Sequence, residues 1–314
     1  MLAAILAIIL STVSAGGDEL ALVRHDGDSY ALCLWQEGMS EPRAVTKLPG
    51  ECSRLGWSPD GKLLAASVTF PDKQGIWLYD MAANAGRRLK TVAGVDATDA
   101  VFAPDGEWIY YTTDSSEGGT IRRIRLSDER DEAIMDIESG GGATGWVAWL
   151  LWSHDGNALY FMKDEGWGEW HLWRFDPATG NQVALWEEPC GTPAESPHDP
   201  SLLMWTMGDD PAQVVLMWFT FDDESGELGQ VGVFAAEAPW QSMPAFNPDG
   251  KMVAYVAGKG EEATEGTEHK GKVSSVYDVV DIWLKPASGD DPPQRLPGSS
   301  ALGRDCPAWK PRHD

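Results

Sequence analysis

The chain has 314 residues, and its 49 acidic against 24 basic side chains set a formal charge of −25 and a pI near 4.4. This argues against a phosphate-binding basic face, and with it against nucleic acid or an anionic lipid surface as a partner. Hydrophobic residues make up 43% and charged ones 23%, so the chain can bury a sizeable core and is not disordered by composition.

In chain order, the first feature is the apolar run Leu2–Leu10, LAAILAIIL, followed by Ser11-Thr12-Val13-Ser14-Ala15. Nine apolar residues are too few for a comfortable bilayer span. The small residues Val13 and Ala15 suit cleavage after Ala15, so residues 1–15 are expected to be a signal peptide. The expected location is periplasmic or secreted, with no transmembrane span in the mature chain.

A repeat organises the rest. GWSPDGKLLAAS begins at Gly56, VFAPDGEWIYYTTD at Val101, LWSHDGNALYFMKD at Leu151 and AFNPDGKMVAYVAG at Ala245. Each copy has a key aromatic (Trp57, Phe102, Trp152, Phe246), a turn ending in Asp-Gly, and an alternating apolar run. Asp-Gly supplies the positive φ of a tight turn, and period-two alternation is the mark of a strand. A third strand recurs as IWLYD at Ile76, LWRFD at Leu172 and DIWLKP at Asp281, with a fourth as RRLKTV at Arg87 and QVALWE at Gln182. A degenerate copy, MWTMGDDPAQVVLMWFTF, is read as keyed on Trp205, leaving little room for a fourth strand after Gly229–Ala235.

Four antiparallel strands every ~40–50 residues describe a propeller blade, whose two faces are buried only by neighbouring blades. Residues 19–48 read as second, third and fourth strands without a first, and CPAWKPRHD, keyed on Trp309, reads as a first strand alone. The expectation is an all-β, six-bladed β-propeller over residues 18–314, with the N- and C-terminal strands completing one blade.

These repeats resemble the WD40-like repeats of the TolB-type β-propeller family, which also occur in propellers of prolyl-oligopeptidase-like peptidases. The resemblance covers roughly residues 18–314 and implies the fold. TolB proper carries an N-terminal α/β domain ahead of its propeller; here the propeller begins close to the expected cleavage site. The peptidases need a G-x-S-x-G elbow, and the nearest string, Gly298-Ser299-Ser300-Ala301-Leu302, lacks the second Gly.

Chemistry is sparse. The six His form no HExxH or other compact pair, and the cysteines show no CxxC spacing, so no metal and no cofactor are expected. His154 takes a turn proline's place; His198-Asp199 is read as preceding the fourth blade's first strand, where a solvated loop pair is the favoured reading and a base or ligand facing the funnel the alternative. The turn aspartates Asp60, Asp105, Asp155 and Asp249 read as structural, because a catalytic carboxylate has no reason to recur in every blade. Most of the 16 Trp read as core between blades; Trp146, Trp149, Trp167 and Trp170 are less regular and offer an aromatic patch as the alternative, with core filling the favoured reading over ligand stacking.

No catalytic residue is assigned. The ring of positions ahead of each first strand nominates Arg54, Asp99, Trp149, His198, Asp199, Arg304 and Asp305 as a ligand-binding funnel rim. Cys52 and Cys306 hold similar places in adjacent blades, and a disulfide between them is expected. Intact mass with and without reductant checks it: a 2 Da gain on reduction is expected, and four free thiols in the untreated protein overturn it. The functional expectation is a monomeric, non-catalytic exported propeller that binds a protein or envelope component. The alternatives are a metal-dependent propeller hydrolase or lactonase, and an accessory subunit of a peptidase or transporter.

Overall fold

The computed structural model describes residues 17–26, 29–92, 94–115, 118–138, 145–166, 169–198, 201–207, 214–221, 228–235, 240–258, 281–289, 291–296 and 307–312. The described strands form six four-stranded antiparallel sheets. The chain opens with β1 (Glu19–Asp26), β2 (Ser29–Gln36) and β3 (Arg43–Lys47). Blade one is β4–β7 (Glu51–Trp57, Leu63–Thr69, Gln74–Asp80, Ala85–Arg88). Blade two is β8–β11 (Thr98–Phe102, Trp108–Ser115, Gly118–Arg125, Asp131–Glu138). Blade three is β12–β15 (Val147–Trp152, Leu159–Asp164, Trp170–Phe175, Gln182–Trp186). Blade four is β16–β19 (Cys190–Glu195, Ser201–Met207, Val214–Phe221, Leu228–Ala235). Blade five is β20–β23 (Trp240–Phe246, Met252–Gly258, Asp281–Pro286, Gln294–Arg295). The last strand, β24 (Ala308–Trp309), pairs with β1, so the sixth sheet runs β24-β1-β2-β3 and is made from both chain ends.

The ring closes through its core. Each of six apolar clusters straddles two neighbouring blades. One joins Ala21, Leu32 and Leu34 of the composite blade to Leu55, Trp57 and Leu64 of blade one. The next three link blades one and two, two and three, and three and four. Leu216 and Phe234 then meet Val253 and Tyr255, and Ala254 and Ile282 meet Leu20, Leu22 and Trp309. Each sheet is covered on both faces, which is why β5 buries five consecutive residues instead of alternate ones.

The hairpin turns carry the expected chemistry. Gly61, Gly106, Gly156 and Gly250 all have positive φ. The aspartate Oδ1 accepts a backbone N–H two residues on: Lys62 from Asp60, Glu107 from Asp105, Asn157 from Asp155 and Lys251 from Asp249. The bond from the Lys62 side chain, with that from the Ser58 hydroxyl, pulls the Asp60 carboxyl down to about 2. The Ser153 hydroxyl and the Asn157 amides hold Asp155 at about 2. The turn glycine has a second task, lying on the turn proline of the preceding blade. A Cβ on Gly156 would sit 3.0 Å from Pro104, and one on Gly250 3.2 Å from Pro197.

Blade four corrects the sequence reading. Trp205 lies on the second strand, β17, and VVLMWFTF forms the third, β18. The first strand is Cys190–Glu195, and Leu228–Ala235 is the fourth. In the other complete blades the key aromatic pairs with the residue seven positions on: Trp57↔Leu64, Phe102↔Ile109, Trp152↔Leu159 and Phe246↔Val253. Glu195↔Leu202 keeps that spacing, so Glu195 occupies the aromatic position. It serves there through hydrogen bonds to blade three: its carboxylate accepts the His154 N–H and, at 3.2 Å, the Tyr160 hydroxyl. An aromatic search misses a glutamate in that place.

Candidate functional site

The first strands β4, β8, β12, β16, β20 and β24 surround the central channel, and the first five share an irregularity. Each carries a β-bulge: those of blades two to five fall at the same height, before Val101, Leu151, Ala194 and Ala245, and that of blade one lies a step away, before Arg54. Four residues in these bulges have positive φ without being glycine: Asp99 (52°), Trp149 (53°), Thr192 (30°) and Met243 (53°). Each stands three residues before its key position, as Arg54 does. Such backbone is costly outside glycine, of order 1–3 kcal/mol per residue, and a bulge re-aims the side chains around it. A strained conformation recurring at one height around the axis marks this ring as the place the fold shapes with most care.

At this height Arg54 reaches from blade one to blades two and three. Its Nη2 donates to the Leu150 carbonyl of blade three, and its Nη1 lies 3.5 Å from Asp99 Oδ1 of blade two. The Arg54 and Asp99 side chains are 12% and 14% exposed. Arg54 thereby floors a funnel of about 490 Å³ that runs toward the mouth formed by the strand-one-to-two turns. The walls come unevenly. Blades four, five and the composite blade supply Thr192-Pro193-Ala194, Met243-Pro244-Ala245 and Pro307-Ala308, while Leu55 and Leu151 face them from blades one and three. The strings TPAESP, MPAFNP and CPAWKP show that three consecutive blades repeat x-Pro-Ala-x-x-Pro. That repeat is the signal that locates Thr192 and Met243, which the aromatic-keyed reading missed. Thr192 Oγ1 and Met243 Sδ meet at 3.3 Å across the blade four–five boundary.

Beyond the floor, toward the opposite mouth, the second strand of blade two contributes Asp114. Its Oδ1 accepts the Val147 N–H at 3.2 Å, tying blade two to blade three. Burial pushes its carboxyl up to about 7, with Asp99 and Asp96 adding repulsion. Trp149 packs on Trp170, 5.3 Å between ring centroids, and Trp146 is 41% exposed. Trp167 lies outside the described residues.

Of the nominated rim, the structure brings Arg54 and Asp99 together and puts Trp149 at the same height. His198 is not with them. The corrected strand order places it in the turn after β16, where its Nε2 meets the Asp249 carbonyl of the next turn at 2.8 Å. Asp199, Arg304, Asp305 and Cys306 lie outside the described residues; the other cysteine of the expected pair, Cys52, is buried on β4.

Together the closed ring, the composite blade and the bulged inner strands define a six-bladed β-propeller with a funnel floored on its axis. Residues 2–216 match the TolB beta propeller domain, and the chain belongs to that family. TolB from Acinetobacter baumannii superposes with a TM-score of 0.70 at 17% identity, over 94% of this chain and 67% of that one. A putative TolB from Agrobacterium tumefaciens gives 0.66 at 13% identity, over 95% of this chain and all of the other. An uncharacterised protein of Agrobacterium fabrum is 33% identical over 103 residues, and the chain spans about a third of that relative's length. No helix among the described residues is long and apolar enough to cross a membrane.

Proposed function

We propose that this chain is an exported, non-catalytic binding propeller that grips part of a protein or envelope component in its axial funnel. On this reading residues 1–15 are removed, residues 18–314 form the ring, and the protein works as a monomer in the periplasm or outside the cell. The funnel itself carries the proposal: about 490 Å³, floored by Arg54 and walled by prolines and alanines. That volume is in the range of preformed ligand sites. Proline walls add no N–H donors and little conformational freedom, so an entering segment meets a rigid surface.

The test is capture from an envelope fraction with the mature chain as bait, beside a variant with the funnel filled. Thr192→Trp is suitable because blade three already holds a tryptophan, Trp149, at the same bulge and a similar positive φ. A partner recovered by the wild-type chain is expected to be lost, by about tenfold or more, with a melting temperature within a few degrees of wild type. Equal recovery by both proteins overturns the proposal.

A further inference from the structure

We infer that Asp105 is a site of spontaneous covalent modification: the Gly106 backbone nitrogen attacks its carboxyl carbon, and the turn of blade two converts to an isoaspartyl link. This does not depend on what the funnel binds.

Four of the strand-one-to-two turns share one backbone. In each, the residue two before the aspartate donates its N–H across the hairpin, at 2.8–2.9 Å: Ser58 to Leu63, Ala103 to Trp108, Ser153 to Ala158 and Asn247 to Met252. Its carbonyl accepts the N–H of the turn glycine. Three of these residues add a side-chain latch. The Ser58 and Ser153 hydroxyls each donate to the aspartate Oδ1 at 2.7 Å and accept the N–H five residues on, from Leu63 and Ala158, at 2.9 Å. Asn247 Oδ1 accepts the Met252 N–H at 2.8 Å, and the Lys251 ammonium donates to Asp249 at 3.3 Å.

Blade two has Ala103 in that place, and a methyl group can neither donate to Asp105 nor accept the Trp108 N–H. Asp105 is exposed, and among the described residues its carboxylate has one hydrogen bond, from the Glu107 N–H at 2.8 Å. This turn therefore opens at lower cost than the other three. Gly106 has a φ of 69° and no side chain to shield its nitrogen. In the opened turn that nitrogen bonds to Asp105 Cγ and gives up its proton, and a carboxyl oxygen leaves as water, closing a five-membered imide. Water then adds to either imide carbonyl. Opening at the main-chain carbonyl leaves the chain running through Cγ, with the carboxylate on Cα. One water is lost and one regained, and nothing is oxidised or reduced. The product's main chain is one carbon longer, on the face of the ring where the funnel opens.

The test is incubation of the full mature chain for weeks at neutral pH, followed by digestion and quantification of isoaspartate in the peptides carrying Asp60, Asp105, Asp155 and Asp249. A fifth pair, Asp26-Gly27, has its glycine outside the described residues and is read as a separate peptide. Asp105 is expected to convert about threefold or more faster than any of the other three, as the loss of two hydrogen bonds implies. Ala103→Ser, which copies the latch of blades one and three, is expected to bring Asp105 down to their rate. Ser153→Ala is expected to raise Asp155 toward the rate of Asp105. In the chain unfolded in urea the four rates are expected to draw together, because the latches are gone. Equal rates at the four turns of the folded protein, a rate at Asp105 untouched by Ala103→Ser, a rate at Asp155 untouched by Ser153→Ala, or an excess at Asp105 that persists in urea overturns the inference.

Discussion

Removal of residues 307–314 is expected to lower the melting temperature by more than about 10 °C, or to abolish cooperative unfolding altogether. Eight residues are few, but they hold the ring shut. Trp309 pairs with Leu20 on β1, donates its indole N–H to Ala245 of blade five at 3.1 Å, and packs edge-on to Trp35. Ala308 in turn receives the indole N–H of Trp57 from blade one at 3.0 Å. The Lys310 N–H donates to the Glu19 carbonyl at 2.8 Å and its ammonium to the Glu19 carboxylate at 3.0 Å, while Arg312 pairs with Asp18 at 2.6 Å. The short strand thus bonds its own blade and both neighbours. Losing a core tryptophan costs about 3–5 kcal/mol, the half-buried Trp309 contributes somewhat less before its hydrogen bonds are added, and each kcal/mol moves the midpoint by roughly 2–4 °C in a domain of 150–250 residues. Deletion also bares the edge of β1, an invitation to intermolecular pairing. Differential scanning calorimetry of the truncated and full chains decides the matter. Coincident melting curves would show that the ring is held elsewhere.

The second large effect is pH-dependent. Asp114→Asn is expected to stabilise the protein at pH 8 and to leave it unchanged near pH 3. The folded structure holds the Asp114 carboxyl at about 7, against 3.8 for an ordinary aspartate, chiefly through burial and secondarily through Asp99 and Asp96. The folded state therefore holds the proton more tightly than the unfolded state. The group's contribution is fully favourable below 3.8, declines as pH rises, and reaches its full cost above about 7. At about 1.4 kcal/mol per pH unit, the cost at pH 8 is on the order of 4 kcal/mol, an upper bound once the site relaxes. Asparagine keeps an oxygen for the Val147 N–H and has no charge to bury. A gain of roughly 5 °C at pH 8 that shrinks to nothing by pH 3 is expected in thermal melts. A variant equally or less stable at pH 8 would mean that the charge of Asp114 is compensated.

Why the protein keeps such a residue is clear from its position. Asp114 ties the second strand of blade two to the first of blade three beside the channel, and Gly119 leaves the room it needs: a Cβ there would lie 2.9 Å from its Oδ1. The interblade bond is made at a place where burial penalises the charge of the carboxylate that makes it.

What was legible in the residues follows from how each signal is written. The Asp-Gly turns, the alternating strands and the split blade are local properties of the chain, set by backbone sterics and by the period of two, and so they can be read along it. The turn aspartates could be read as structural for the same reason, since their partners are two residues away. Blade four shows where this stops. Its aromatic is replaced by Glu195, whose role depends on His154 and Tyr160 of the preceding blade, so a search by residue type slipped one strand and put His198 at the wrong end of the channel. The ring count, the turns and the junction of the two chain ends were determined by the sequence. That Arg54 reaches past blade two to Leu150 of blade three, that four non-glycine residues hold strained bulges at one height, and that three prolines wall one side of a funnel were decided only by the tertiary structure. Those contacts join residues some fifty to a hundred positions apart, and no local preference records which of them the closing of the ring brings face to face.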